Sequence, residues 1–195
     1  MGSGKNGAFD IHPDLNQWAL LFTAEDAATL IPQFIYKYWK FFNCDIKEFL
    51  LQPIEGHGLW DKQNIFGSLP KQTAHEGPVA VLTRATIRLG RLKNFWSNVH
   101  SIASKMNNIK GLIISYGIGE LPWIKQATFS IWENKTAMKN FAYGLQQHTD
   151  VIHKTRSEDW YIEEMFIRFR ILAVKGLPEN IVAKMLILQS SYEEA

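Results

Sequence analysis

One stripe of a predicted helix in the second half of the chain combines apolar side chains with a histidine. The stripe has five residues at steps of three and four: Met138, Phe141, Leu145, His148 and Ile152. Such spacing places all five on one side of an α-helix. Burying an imidazole without a partner costs about 1–3 kcal/mol, so an inward His148 requires a polar neighbour or a metal. His148 is therefore either a core histidine with a hydrogen-bond partner or a candidate axial ligand for haem iron.

The elements around this helix follow a recognisable order. Between Pro78 and Arg170 the pattern predicts strand, helix, two strands, helix and strand. Alternation is clear in the first strand, where Val79, Val81 and Thr83 oppose Ala80 and Leu82. We therefore predict an α+β fold built on a ferredoxin-like antiparallel sheet with helices on one face.

The upstream half is shorter and less regular. Trp18–Thr23 reads as an apolar strand, residues 24–43 as a helix interrupted near Pro32, and Ile46–Leu51 as a second strand. This order is half of a ferredoxin-like unit and suggests a degenerate tandem duplication. We predict a partial first repeat over 1–55, a connecting loop over 56–77, a complete repeat over 78–176 and a short helical tail over 177–195.

Composition narrows the class of protein. The chain has 195 residues, 46% of them hydrophobic, and a formal net charge of +2 without long single-sign blocks, so we expect no nucleic-acid partner. Cys44 is the only cysteine, which excludes an intrachain disulfide and a multi-cysteine metal site. No apolar run approaches the ~18 residues of a membrane span. We predict a cytoplasmic protein and leave peripheral contact with a membrane open.

Several short motifs, taken in order, resemble one family. They are Val81 to Arg88 (VLTRATIR), Phe95-Trp96, Gly117 to Glu120 (GIGE), Gln126 to Trp132 (QATFSIW), Ala137-Met138, Phe141-Ala142, His148, Trp160, Glu163-Glu164 and Arg168-Phe169. Upstream, Gly2-Ser3-Gly4, Phe9, Asp26 to Ala28 and Trp60 continue the series. Together they are similar to the spheroidene monooxygenase family of carotenoid biosynthesis, up to about Gly176.

The resemblance implies a haem b-dependent monooxygenase that takes electrons from a ferredoxin and inserts oxygen into an acyclic carotenoid to form a ketone. It also implies a relationship to the dimeric α+β-barrel haem proteins, with His148 as the proximal iron ligand. Apolar walls for the porphyrin would come from Phe129, Ile131, Phe141, Leu145 and Ile152. Arg84 and Arg88 either pair with the haem propionates or are solvated strand residues.

Two departures from the family pattern lead to further expectations. The family begins with a strand and a helix before the Gly-Ser-Gly segment, so this chain is expected to be an N-terminally truncated form or to have its open sheet edge covered by a partner strand, which makes a homodimer plausible. The tail beyond Leu177 has no counterpart, and we expect it to dock on that edge rather than to join a dimer or rest on a membrane. The alternative function is a non-catalytic haem or lipophile-binding protein, or an association module with the same fold.

Overall fold

A computed structural model describes residues 1–4, 11–25, 32–103, 109–144, 154–155 and 157–193. The strands are β1 (Gly2–Ser3), β2 (Pro13–Asp14), β3 (Glu48–Gly58), β4 (Val79–Ile87), β5 (Leu112–Leu121), β6 (Lys125–Trp132) and β7 (Tyr161–Lys175). The helices are α1 (Gln33–Phe41), α2 (Leu92–Ala103), α3 (Lys135–Gly144) and α4 (Glu179–Glu193). A short 3-10 turn, Leu89–Arg91, leads into α2.

The described strands form one antiparallel sheet in the order β2-β1-β5-β6-β4-β7-β3. Its centre is the predicted succession β4, α2, β5, β6, α3 and β7, so the α+β ferredoxin-like prediction is confirmed. Strands from the upstream half lie at both edges of this sheet. The limits of the two predicted repeats stay a prediction.

The upstream elements differ in detail from the sequence prediction. Residues 18–23 are exposed and form no strand, because an apolar run becomes a strand only where a sheet edge offers hydrogen-bond partners. α1 begins directly after Pro32, as the fixed φ of proline favours. β3 continues past Leu51 to Gly58, into the segment predicted as a loop, and tolerates Pro53 because it is an edge strand with register shifts on both sides of that residue.

The two faces of the sheet carry different cores. On the face that we call the helix side, Val79, Val81 and Trp132 pack against Met138 of α3, while Ile87 packs against α2. On the other face, the α4 side, nine buried residues form the largest cluster: Ala80, Leu82, Ala127, Ile131, Met165, Ile167, Phe169, Ile171 and Met185 of α4. The predicted tail helix therefore docks on a sheet face rather than on an edge.

The sheet curls toward its α4 side. Phe49 of the edge strand β3 and Phe129 of β6 have ring centroids 5.0 Å apart, although β7 and β4 separate their strands in the sheet. The right-handed twist of neighbouring strands makes such curvature possible in a long sheet. The α4 side is thus the concave, filled face, and the helix side is the convex one.

The start of α3 is fixed by one side chain. Asn134 precedes the helix, and its Oδ1 accepts a hydrogen bond of 2.8 Å from the backbone N–H of Ala137. Its Nδ2 also donates to the hydroxyl of Tyr192 in α4 at 3.1 Å. Asn134 thereby satisfies one of the free N–H groups of the first turn and links α3 to α4.

We expect Asn134→Ala to lower the free energy of unfolding by about 1 kcal/mol, the usual cost of losing an N-cap. Urea unfolding followed by tryptophan fluorescence measures the change. Tyr192→Phe removes only the link to α4 and separates the two contributions. An Asn134→Ala variant as stable as the wild type would contradict the capping role.

Candidate functional site

The middle of the helix side has short side chains. Thr83 and Ala85 of β4 and Thr128 of β6 lie there, and all three remain half-buried rather than buried. They separate the apolar cluster under α3 from the cluster under α2. Because these side chains are short and none of the three is fully buried, this strip is the candidate site, and we call it the floor.

The apolar wall on one side of the floor comes from α3 and the strands beneath it. The rings of Phe141 and Trp132 stack with centroids 5.3 Å apart and an interplanar angle of 30°. Met138 is buried beneath the same helix. Phe141 therefore lies on the helix side, next to the floor, where the stripe predicted it.

The remaining stripe residues, Leu145, His148 and Ile152, lie outside the described residues. Phe129 and Ile131 are described, and both pack into the cluster on the α4 side. Alternation along β6 explains this, since Phe129 and Ile131 point away from the face that carries Trp132. The predicted wall residues are thus divided between the two faces of the sheet.

Arg84 lies at the centre of an ion-pair network on the α4 side. Its guanidinium is 1% exposed and contacts carboxylate oxygens of Asp61, Glu120 and Glu163, each at 2.8 Å. It also lies over the ring of Trp60, 4.7 Å from the centroid. Burial alone would lower the pKa of Arg84, but hydrogen bonds to Asp61 and Glu120 raise it above its ordinary value. Arg84 is therefore neither solvated nor close to α3.

Arg88 has a different environment at the end of β4. Its side chain is 45% exposed and forms an ion pair of 2.9 Å with the exposed carboxylate of Asp159. Its Nε also donates to the backbone oxygen of Asp159 at 3.0 Å. An exposed pair of this kind contributes little to stability, so Arg88 can exchange Asp159 for another anion at low cost.

The far end of the floor is lined by aromatic residues near α2. Phe95 packs edge to face on Trp96 and Trp160, with ring centroids 5.2 Å and 6.4 Å away. Burial raises the pKa of neighbouring Tyr161 to about 12, so its phenol is neutral at physiological pH. This end of the helix side is aromatic and apolar.

The structure also contains a buried charge cluster that the sequence did not reveal. Glu55 of β3 is fully buried on the helix side, and its carboxylate accepts hydrogen bonds from Arg168 and from the N–H and hydroxyl of Thr73, at 2.6 Å and 2.9 Å for Thr73. Lys135 at the start of α3 lies 3.6 Å from the same carboxylate. No sequence signal predicted this cluster, because the predicted strand ended at Leu51. That Glu55 lies on the inward side of an edge strand is seen only in the structure.

His57 belongs to the same strand. It was expected in a loop, and it lies near the end of β3 with its ring stacked on Phe166 at 6.0 Å. Phe166 packs into the cluster under α3. The helix side therefore has an aromatic boundary on the β7 side of the floor as well.

Comparison with known proteins identifies the family. A spheroidene monooxygenase of Rhodobacter capsulatus is 35% identical over 182 residues, which cover 90% of this chain and 75% of that protein. Proteins of the same name are 32% identical in Cereibacter sphaeroides and 31% identical in Rubrivivax gelatinosus, where the match covers 55% and 69% of the relative. The chain belongs to the spheroidene monooxygenase family. Membership supports a monooxygenase function for this chain, as the sequence motifs predicted.

Other comparisons add little to the spheroidene monooxygenase assignment. No protein-family model matches the chain. A Fusobacterium nucleatum protein of known structure superimposes with a TM-score of 0.45 at 14% identity, covering 64% of this chain and 51% of that one. A Nitrosomonas europaea protein of unknown function gives 0.43 at 14% identity over 54% of this chain and 98% of that one. Similarity this weak carries no information about chemistry.

None of the described helices is both long enough and apolar enough to cross a bilayer. Among all the residues that the structure describes, no three His, Cys, Asp or Glu side chains lie close enough together to bind a metal ion.

Proposed function

We propose that the protein is a haem-dependent monooxygenase that acts on an acyclic carotenoid or a similar hydrophobic substrate. The observation that carries this proposal is the similarity to relatives named spheroidene monooxygenase across 90% of the chain. In the proposal a ferredoxin-type protein supplies the electrons. One oxygen atom of dioxygen enters the substrate, and the other is reduced to water.

Two features of the helix side support the proposal of haem binding. The floor of Thr83, Ala85 and Thr128 would meet a flat ring with short, half-buried side chains, and the stacked pair of Trp132 and Phe141 would give it an apolar wall. His148, the proposed iron ligand, falls outside the described residues and continues the stripe that Met138 and Phe141 begin. Leu145 and Ile152 would extend the apolar wall.

Arg88 is the better of the two arginines for a haem propionate. Its only described carboxylate partner is exposed Asp159, whereas Arg84 is held by three carboxylates on the opposite face. Guanidinium matches a carboxylate bidentately, so Arg88 would bind a propionate in place of Asp159. Phe129 and Ile131 take no part in this proposal.

In this proposal the cofactor and the protein have different roles in the reaction. Bound haem would supply the reductive activation of dioxygen. The aromatic side chains around the floor would exclude water and give a polyene an apolar surface to lie against. The protein would thereby bind and orient the substrate beside the cofactor.

Haemin titration of the purified chain tests the cofactor and its ligand. We expect a Soret shift that saturates at one haem per chain, that is lost in His148→Ala and that is retained in His153→Ala. His153 is the matched control because it lies five residues further along and outside the stripe. A wild-type protein without a Soret shift would overturn the cofactor proposal, and an unaltered His148→Ala spectrum would overturn the ligand assignment.

Turnover separates an oxygenase from a carrier. The haem-loaded chain is incubated with dioxygen, a ferredoxin, its reductase and an acyclic carotenoid, and products are analysed by mass spectrometry. We expect an alcohol after one turnover and a ketone after a second, because the second hydroxylation of the same carbon gives a geminal diol that loses water. The ketone has then gained one oxygen and lost two hydrogens, and each turnover uses one dioxygen and two electrons. Stoichiometric haem binding without any product would favour the non-catalytic haem-binding alternative.

A further inference from the structure

The helix α1 presents an aromatic surface that nothing in the described fold covers. Phe34, Tyr38, Phe41 and Phe42 are 70%, 62%, 83% and 58% exposed, and α1 contains no buried residue. Their spacing of four, three and one residues places them on one side of the helix. Single exposed apolar residues are ordinary, but these four aromatic rings, three on α1 and Phe42 directly after it, form a contiguous patch.

The opposite side of α1 fixes how the helix is oriented. The Tyr36 hydroxyl hydrogen-bonds to the carboxylate of Glu48 at the start of β3, and this bond raises the pKa of Tyr36. Ile35 and Trp39 are half-buried on the same side. Because these residues face the protein, the rings of Phe34, Tyr38, Phe41 and Phe42 face outward. We call these four rings the aromatic stripe.

The charges on α1 select the kind of surface that this stripe fits. The helix carries Lys37 and Lys40, and no Asp or Glu occurs between Gln33 and Asn43. Both lysines are exposed. At about 100° per residue, Lys37 lies beside the aromatic stripe, and Lys40 lies further round the helix, next to Tyr36. Lysines flanking exposed aromatic rings are typical of helices that lie in the interface of a bilayer. Protein interfaces, in contrast, are depleted in lysine.

We propose that α1 is an interfacial helix that binds the surface of a bilayer containing anionic lipid. The aromatic rings enter the boundary between headgroups and acyl chains, while the long stems of Lys37 and Lys40 let their ammonium groups reach lipid phosphates. The inference does not depend on the proposed oxygenase chemistry. If both hold, the helix brings the enzyme to the phase in which a carotenoid is dissolved.

Vesicle sedimentation of the full chain, without haem or carotenoid, tests the proposal. We expect binding to vesicles of phosphatidylcholine and phosphatidylglycerol that weakens as salt is added, because surface charges are screened. Binding to phosphatidylcholine alone should be much weaker. The Phe34→Ser/Phe41→Ser variant should lose binding to both kinds of vesicle.

The lysines are tested by Lys37→Gln/Lys40→Gln. About 1 kcal/mol for each lysine near an anionic surface corresponds to a roughly 25-fold loss of affinity for both together. The salt dependence of binding should fall at the same time. An affinity within twofold of the wild type would overturn the role of these charges.

A matched control is available on α4. Leu186 and Ile187 are 62% and 68% exposed, so Leu186→Ser/Ile187→Ser removes similar apolar area far from α1 in sequence and should leave vesicle binding unchanged. Because α1 has no buried residue, its variants should unfold at the same temperature as the wild type. Unchanged binding by the Phe34→Ser/Phe41→Ser variant would overturn the proposal. So would a lipid-free dimer of the wild type that this variant abolishes, since a second copy would then cover the stripe.

Discussion

Glu55→Gln is expected to lower the free energy of unfolding by about 3–5 kcal/mol, the cost of removing one partner from a buried ion pair. The carboxylate of Glu55 is fully buried and joins Arg168 of β7, Thr73 of the connecting segment and Lys135 of α3. A neutral amide leaves Arg168 and Lys135 without their counter-charge. Among the described residues the Nε of Arg168 has no hydrogen-bond partner, so no second acceptor is in place there to replace Glu55.

The same carboxylate predicts how stability depends on pH. Burial alone would raise the pKa of Glu55, but hydrogen bonds from Arg168 and Thr73 hold it below its ordinary value of 4.5. Because the folded pKa is lowered, this contribution is fully present above pH 4.5 and is lost as the pH falls through the folded pKa. The Glu55→Gln variant should therefore lose less stability on acidification than the wild type.

Urea unfolding at neutral and acidic pH measures both effects, and Glu164→Gln is the matched control, because Glu164 is an exposed carboxylate of β7. Substitutions on the surface usually change stability by no more than about 0.5 kcal/mol. A Glu55→Gln variant within that range at neutral pH would show that the cluster does not stabilise the fold.

The sequence could predict the elements but only some of their contacts. Alternation in β4 and the spacing of Met138 and Phe141 in α3 are local patterns, and both elements lie where expected. Glu55 and Arg168 are 113 residues apart, and no local pattern connects a charged residue in an edge strand with its partner on β7. Contacts of this kind depend on strand order and register, which the sheet as a whole determines.

Long-range contacts also explain why the predicted wall residues lie on two different faces of the sheet. Apolar spacing shows that Phe129 and Ile131 share one face of β6, but not which of two cores that face meets. Both faces of this sheet are apolar, because α3 covers one and α4 covers the other. Only a sheet with one solvated face would let alternation predict the side. The helix-side wall is therefore supplied by Trp132 and Phe141.

Arg84→Met is expected to destabilise the protein by about 1.5–3 kcal/mol, the usual worth of hydrogen bonds to a charged group, because the carboxylates left behind are partly exposed to water. Methionine fills much of the volume beneath Trp60 but leaves Asp61, Glu120 and Glu163 close together. Lys125, which contacts Asp61 at 2.8 Å, is the remaining described cation of the group. Burial raises the pKa of Glu163, whereas the backbone N–H groups of Lys62 and Asp61 and the Arg84 side chain lower it, so loss of Arg84 should move this pKa upward.

Arg88→Met is the matched control, because it makes the same change just after the end of β4, at an exposed ion pair worth no more than about 1 kcal/mol. The double variant Arg84→Met/Glu163→Gln removes one of the stranded carboxylates. It should be more stable than Arg84→Met alone, with a coupling of about 0.5–3 kcal/mol between the two sites. Equal losses from Arg84→Met and Arg88→Met would mean that the buried guanidinium does not hold these strands and the Asp61 loop together. Arg84 would then be available to bind a ligand. The comparison therefore also tests the choice of Arg88 for the propionate, which depends on Arg84 being held by its carboxylates.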